Sequence, residues 1–359
     1  MPPRDETARE GGGDATPLME LRNVSKVYGG GVLSRTATVA LDDVSLTIPG
    51  DSPQILSVVG ESGSGKTTLA SLLLGFISPT SGTVLYRGSD LSRLRGARLR
   101  EFRRDVQAVF QDPFAVFNPF YKVDHVLTVP LQKFRLGRSK AERQELMVNA
   151  LEAVGLRPDE TLGRYPHQLS GGQRQRIIVA RALMLRPKLI VADEPVSMVD
   201  ASLRATILES LRTVNQTLKV PILYITHDLG TAYHVSDHIV VMYRGGIVEA
   251  GDVEDVITAP KHPYTRMLID SIPWPDPRRR WGSEETGARN GVEVPEDHQG
   301  CRFAERCPAA MPRCTQAQPP TYLAASGHAV SCYLYDEKPT LPKERLSALL
   351  TQHSSLTSA

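Results

Sequence analysis

Eight residues, Gly60-Glu61-Ser62-Gly63-Ser64-Gly65-Lys66-Thr67, follow a short apolar run at 54–59 and lead through Thr68 into a helix-compatible Leu-Ala-Ser-Leu-Leu-Leu stretch. This is the G-x-x-x-x-G-K-[ST] pattern, in which glycines let backbone N–H groups wrap a phosphate and the following helix offers its positive end. The chain is thereby committed to a buried strand, a phosphate-cradling loop and a helix in immediate succession. Lys66 is placed to neutralise the β- and γ-phosphates. Thr67 is placed to give its hydroxyl to Mg²⁺, whose octahedral shell takes its other oxygens from phosphate, water and one or two side chains.

Further apolar runs at 189–192 and 222–226 also read as buried strands. Short buried strands alternating with helices argue for an α/β fold with a mainly parallel sheet covered on both faces. The run at 189–192 ends in Asp193-Glu194, which puts two carboxylates at the sheet edge where open α/β sheets bind ligands. Asp193 is the expected Mg²⁺ partner, acting through water or from outside the inner coordination sphere, and Glu194 the group that polarises or orients the water attacking the γ-phosphate. Ser139-Lys140-Ala141-Glu142 has capping-box spacing, with Leu146, Met147, Ala150, Leu151 and Val154 at helical intervals before Gly155. That helix lies in an insert between the phosphate loop and Leu169-Ser170-Gly171-Gly172-Gln173, where Gly-Gly entering a helix leaves N–H groups open to an oxyanion.

At 359 residues the chain is long for one small domain. Lys and Arg total 42 against 40 Asp and Glu, so there is no basic excess calling for nucleic acid or anionic lipid. Residues 1–17 are charged and Gly-rich with no apolar centre, unlike a secretory signal, and no apolar run reaches the roughly eighteen residues that span a bilayer. Any work at a membrane is expected through membrane partners. Composition divides the chain into an N-terminal arm (1–17), an α/β body (18–258), a Pro- and Cys-rich segment (259–336) and a tail (337–359), to which no function is assigned. Trp274 and Trp281 flank Arg278-Arg279-Arg280 in a stretch read as a solvated linker.

In that order, the phosphate loop, Leu169-Ser170-Gly171-Gly172-Gln173 and Asp193-Glu194 resemble the nucleotide-binding subunit of an ABC transporter over about 18–258. The resemblance implies a P-loop ATPase with a RecA-like core, an antiparallel β subdomain and a helical subdomain. It also implies that residues 169–173 contact ATP held by an opposite subunit. Gln111 matches the family's glutamine loop at Mg²⁺ or the lytic water, and His227 the switch histidine on the γ-phosphate. Tyr28 stands where an aromatic ring stacks on adenine, and Ser197 and Asp200 lie in the dimer-contact loop.

Beyond the body, His262-Pro263-Tyr264-Thr265-Arg266 and four cysteines resemble the C-terminal extension of oligopeptide and dipeptide importer ATPases, shared with some nickel and oligosaccharide importers. The cysteines run Cys301-x5-Cys307-x6-Cys314-x17-Cys332. Clustered thiols in a chain read as cytosolic suggest metal ligands rather than disulfides. Tetrahedral Cys₄ suits zinc and iron–sulfur alike; the resemblance implies a structural [4Fe–4S] cluster. His328 is read as a local hydrogen-bonding residue rather than a ligand. The implied protein is a peptide-importer ATPase on the cytoplasmic face of the inner membrane. Its implied partners are a second, different ATPase subunit, two permeases and an extracytoplasmic binding protein. Alternatives are oligosaccharide or nickel import, and, from another class, an ABC ATPase remodelling ribosomes or DNA.

Overall fold

The computed structural model describes residues 16–29, 37–112, 116–272 and 299–350. In chain order the strands are β1 (Met19–Gly29), β2 (Ala37–Ile48), β3 (Ile55–Val59), β4 (Ser81–Tyr86), β5 (Ser89–Asp90), β6 (Val106–Val109), β7 (Leu189–Asp193), β8 (Ile222–Thr226), β9 (His238–Tyr243), β10 (Gly246–Asp252), β11 (Tyr322–Ala325) and β12 (His328–Val330). They form an antiparallel sheet in the order β2-β1-β4-β5 and a larger sheet in the order β11-β12-β10-β9-β3-β8-β7-β6.

The large sheet is parallel from β9 through β6. Val58 of β3 sits opposite Ile225 on one side and Val240 on the other, and all five residues of β3 are buried. Continuous β-branched and leucine runs suit such a strand because helices cover both faces. The helix Lys66–Leu73 leaves the end of β3 through the phosphate loop, as the sequence predicts. Strand β7 stops at Asp193, so the acids emerge at the same C-terminal edge as the loop.

The helical insert also forms. Helix Lys140–Ala153 starts at Ser139, whose hydroxyl accepts the Glu142 N–H at 3.0 Å. Glu142 reaches back one residue beyond the capping-box partner, to the N–H of Arg138 at 2.6 Å. Each such cap contributes about 1 kcal/mol. Met147, Ala150, Leu151 and Val154 pack in one apolar cluster with Ile177, Ile178, Val179 and Ala180 from the middle of helix Gly171–Leu183. That helix is buried on all sides at its centre, so it cannot shift without the insert.

The body and the Cys-rich segment share one sheet. Strand β12 pairs antiparallel with β10, and β11 with β12, so the segment extends the main sheet. A third apolar cluster joins Val59 and Val241 of the core to Tyr264 and Phe303 of the extension. Leu346 and Leu350, from the tail, are buried in the cluster beneath the antiparallel sheet, and Lys343 pairs with Asp43 at 2.5 Å. The arm at 1–15 and the Trp274, Arg278–Arg280 and Trp281 stretch lie outside the described residues. Among the described residues no helix is long and apolar enough to cross a membrane.

Candidate active site

The phosphate loop depends on glycine at particular points. Gly60 has φ 154° and Gly65 φ 104°, and a Cβ on them would lie 2.2 Å from the Met242 carbonyl oxygen and 2.4 Å from that of Ala40. No other residue fits either position without moving backbone. Gly63 has φ 81° but open space around it, so it is held by conformation alone. Gly65 ends the loop as the N-cap of the next helix, leaving the first-turn N–H groups turned to the pocket.

Lys66 is buried at the centre, its ammonium donating to the carbonyls of Gly60 at 2.7 Å and Glu61 at 2.9 Å. Burial holds its pKa below the ordinary lysine value, opposed by the negative field of Glu194, Asp193 and Glu61. The strand-end acids therefore share one electrostatic site with the loop lysine. Asp193 is pushed above the usual carboxylate range, first by burial and then by Glu194, while Lys66 and the Thr67 hydroxyl act the other way. Its Oδ1 is buried with no hydrogen-bond partner. A buried carboxylate oxygen with spare capacity beside a threonine hydroxyl fits the oxygen chemistry of Mg²⁺.

Glu194 has a left-handed backbone, φ 46°, a conformation that costs a non-glycine residue about 1 kcal/mol or more. Its N–H donates to Ile225 O at 2.8 Å, and its carbonyl accepts from the Ser197 N–H and hydroxyl at 3.2 and 3.0 Å. These bonds hold the carboxylate away from the strand, with Oε1 3.1 Å from Nδ1 of His227, the residue just past β8. Asp200 begins the helix Ala201–Leu218, where its carbonyl accepts from Leu203 and Arg204.

Two predicted residues lie at the margin. Gln111 is exposed just beyond β6, whose next residue Phe110 is tied through its carbonyl to Gln175 Nε2 at 3.1 Å. Tyr28 is 43 % exposed at the end of β1, with the Lys26 ammonium 5.2 Å from its ring centre. Leu169 is buried, and Ser170 caps the helix Gly171–Leu183 by a true capping box: its hydroxyl accepts Gln173 N–H at 3.2 Å and Gln173 Oε1 accepts Ser170 N–H at 2.9 Å. Gly172 packs closely on the next helix, since a Cβ there would sit 3.1 Å from Leu203.

The cysteines gather but do not form a ready single-ion cage. Cys332 lies in the electrostatic field of Cys301, Cys307 and Cys314, and burial pushes its thiol up to about 12 and that of Cys307 up to about 11. Yet among the described residues no three His, Cys, Asp or Glu side chains are arranged to hold a metal ion. His328 points elsewhere: its Nε2 is 2.6 Å from Glu249 Oε1 in a buried pair.

Two contacts at the loop carried no sequence signal. The N–H of Glu61 donates to Tyr264 Oη at 2.8 Å, and its carboxylate pairs with Arg306 at 2.8 and 2.9 Å. Arg306 is 245 positions away in the chain, so only the fold reveals it.

A glycine-built phosphate loop, a paired acid at the neighbouring strand end and a histidine touching the second acid define a P-loop ATPase. Residues 41–197 match the family described as ABC transporter, and residues 248–314 the one described as Oligopeptide/dipeptide transporter, C-terminal region. A Brucella ovis protein named for peptide import and ATP binding is 41 % identical over 319 residues, covering 88 % of this chain and 98 % of its own length. The oligopeptide transport ATP-binding protein AppF of Bacillus subtilis is 37 % identical over 324 residues, covering 89 % of this chain and 97 % of its own. The dimeric ATP-binding cassette MJ0796 with ADP and Pi is 28 % identical with a TM-score of 0.57, covering 66 % of this chain and 98 % of that one. This chain belongs to the ABC transporter family of ATPases.

Proposed function

We propose that the chain is the ATP-hydrolysing subunit of an importer for di- and oligopeptides. It works on the cytoplasmic face of the inner membrane with a second ATPase subunit, two permeases and an extracytoplasmic binding protein. The observation that carries this reading is one sheet shared by the ATPase site and the region matched to oligopeptide and dipeptide transporters. The names of the similar proteins point the same way.

In this reading the N–H groups between Ser62 and Thr68 take the ATP phosphates, and Lys66 exchanges the Gly60 and Glu61 carbonyls for β- and γ-phosphate oxygens. Tyr28 supports the adenine. Thr67, Asp193 and Gln111 hold Mg²⁺, which when bound neutralises charge building on the phosphoryl oxygens. Glu194 orients the attacking water. His227 steadies that carboxylate through Nδ1 and keeps Nε2 for the γ-phosphate. Leu169, Ser170, Gly171, Gly172 and Gln173 close over the ATP of the partner subunit, with Ser197 and Asp200 along the seam. Ser170 and Gln173 satisfy each other, which leaves the N–H groups of Gly171 and Gly172 for that phosphate. Closure drives the permeases and hydrolysis resets them.

Cys301, Cys307, Cys314 and Cys332 are proposed to hold a structural [4Fe–4S] cluster, with zinc as the alternative. Mutual proximity and burial support this, since thiols pushed far above neutral need a cation to ionise. Anaerobically prepared protein should carry about four irons and matching sulfide. Stoichiometric zinc without sulfide would overturn the iron assignment.

The function is tested by trapping Glu194→Gln with ATP in native membranes, solubilising gently and identifying the co-purifying chains. Recovery of two permeases, a second ATPase and a binding protein loaded with peptide is expected. Recovery of ribosomal or DNA-repair proteins in their place would overturn it, and a sugar or nickel on the binding protein would overturn the peptide assignment.

A further inference from the structure

Glu61, the second residue of the phosphate loop, is held on three sides. Its N–H donates to the Tyr264 hydroxyl at 2.8 Å, its carboxylate makes two parallel hydrogen bonds with Arg306 at 2.8 and 2.9 Å, and its carbonyl accepts the Lys66 ammonium at 2.9 Å. Tyr264 and Arg306 both come from beyond the ATPase body. Tyr264 lies in the first turn of helix Pro263–Asp270, and Arg306 ends the short turn Ala304–Arg306 just before Cys307.

Neither residue is loosely placed. Tyr264 is fully buried, its ring 4.5 Å from that of Tyr243 and 5.5 Å from that of Phe303. The Arg306 guanidinium lies 5.9 Å from the Tyr243 ring centre and 5.8 Å from that of Phe303, a stack that keeps its planar fork aimed at the carboxylate. Tyr243 itself follows Met242, whose carbonyl crowds Gly60 at the start of the loop. The extension thus grips the loop at its entrance.

We propose that Arg306 and Tyr264 are positioning residues for ATP: by fixing the Glu61 peptide they set where the Lys66 ammonium stands, so that the extension tunes phosphate affinity without touching nucleotide. The Glu61 N–H shares its peptide plane with the Gly60 carbonyl, which accepts the Lys66 ammonium at 2.7 Å, and the Glu61 carbonyl follows in the next plane; Lys66 must release both when phosphate oxygens replace them. If the Glu61 side chain or N–H is let go, these carbonyls can follow the ammonium or swing aside, and the loop is no longer set for the phosphates before they arrive. Preorganisation of this kind appears in affinity rather than in the chemical step. The Glu61 carboxyl, held below the ordinary glutamate range chiefly by its bonds to Arg306, stays charged at any pH where the enzyme would be assayed.

The inference rests on the reading of loop 60–68 as the ATP site, so the experiment carries Lys66→Ala as a control for that reading. ATP affinity is measured by titration with a fluorescent ATP analogue, alongside KM, kcat at saturating ATP and thermal midpoint, for full-length wild type, Arg306→Gln, Glu61→Gln, both together, and Tyr264→Phe. Arg306→Gln should weaken ATP about two- to five-fold, the range a half-exposed ion pair supports, with kcat at saturation within about two-fold of wild type. Glu61→Gln should weaken ATP similarly, and the double variant no more than either alone. Tyr264→Phe should weaken ATP about two- to ten-fold, as expected for one net hydrogen bond. The charge-exchanged pair Glu61→Arg with Arg306→Glu should recover part of the loss.

Unchanged affinity in Arg306→Gln, or additive losses in the double variant, would overturn the proposal. So would a fall in kcat or thermal midpoint with affinity intact, which is the mark of a merely structural role. If Tyr264→Phe does not fold, the Arg306 and Glu61 series decides alone. If Lys66→Ala binds ATP as wild type does, the ATP-site reading itself has failed, a different result from an inert Arg306.

Discussion

Glu194 with His227 and Glu249 with His328 are the same pair of side chains in opposite surroundings. At the strand edge, Oε1 of Glu194 stands 3.1 Å from His227 Nδ1, with the histidine side chain 58 % exposed and the glutamate backbone left-handed. Under the extension, Glu249 and His328 meet at 2.6 Å with side chains 0 % and 2 % exposed. The buried carboxylate also accepts the N–H groups of Lys261 at 2.6 Å and His262 at 2.9 Å. Glu249 therefore has three partners, two on Oε1 and one on Oε2, whereas the one partner given for the Glu194 carboxylate is His227. A satisfied buried network fixes architecture, while an open, strained one keeps its groups available for a substrate.

The contrast can be broken most severely at Glu249. Glu249→Ala should destabilise the chain by about 3–5 kcal/mol in denaturant unfolding, because a buried histidine, the buried N–H of His262 and the part-buried N–H of Lys261 lose their acceptor together. A loss under about 1 kcal/mol would mean the hub is not structural.

The same hub gives a pH effect. Burial pushes His262 down to about 4, and its Nδ1 accepts the Tyr264 N–H at 3.0 Å, which requires an unprotonated nitrogen. The folded state thus takes up this proton less readily than the unfolded chain, whose histidine titrates near 6.5. The stabilisation is complete above about 6.5 and is lost as pH falls toward 4, by about 3 kcal/mol at most. His262→Asn, which keeps a cap on the helix, should flatten that part of the stability–pH curve; an unchanged curve would contradict the assignment.

A smaller effect is expected at Gly172, where a methyl would meet Leu203 at 3.1 Å. Gly172→Ala should cost about 1 kcal/mol in unfolding free energy, and it should also weaken any phosphate contact made by that helix end. The smallest effect belongs to the open pair: His227→Ala should change stability by less than about 0.5 kcal/mol, since the ring is exposed. A loss comparable to that at Glu249 would erase the distinction between the two pairs.

The parts of the fold legible in the sequence were those governed by local rules. Gly60 and Gly65 are forced by conformation and crowding, the runs at 189–192 and 222–226 by parallel-sheet burial, and the Ser139 cap by its spacing. The union of body and extension was not legible. Strand β12 has three residues, too few for any alternation, and the Glu249 hub is completed by backbone N–H groups of a loop, which carry no side-chain signature. His262-Pro263 did hold a readable clue, since histidine at the cap and proline at the first helical position mark a helix start. Nothing local told that the next residue, Tyr264, would reach the phosphate loop. The tail shows no role in the sequence, because Leu346 and Leu350 are brought to their apolar cluster only by the fold.

The most direct test of the site is to compare nucleotide affinity and ATP turnover of wild type and Glu194→Gln in the same assembled preparation. Glu194→Gln should bind ATP at least as tightly as wild type, keep an unchanged thermal midpoint, and turn over more slowly by about a hundredfold or more, the share a positioned carboxylate base contributes. Turnover close to wild type would remove Glu194 from the chemistry, and with it the claim that the strand edge at 193–194 is where this chain hydrolyses ATP.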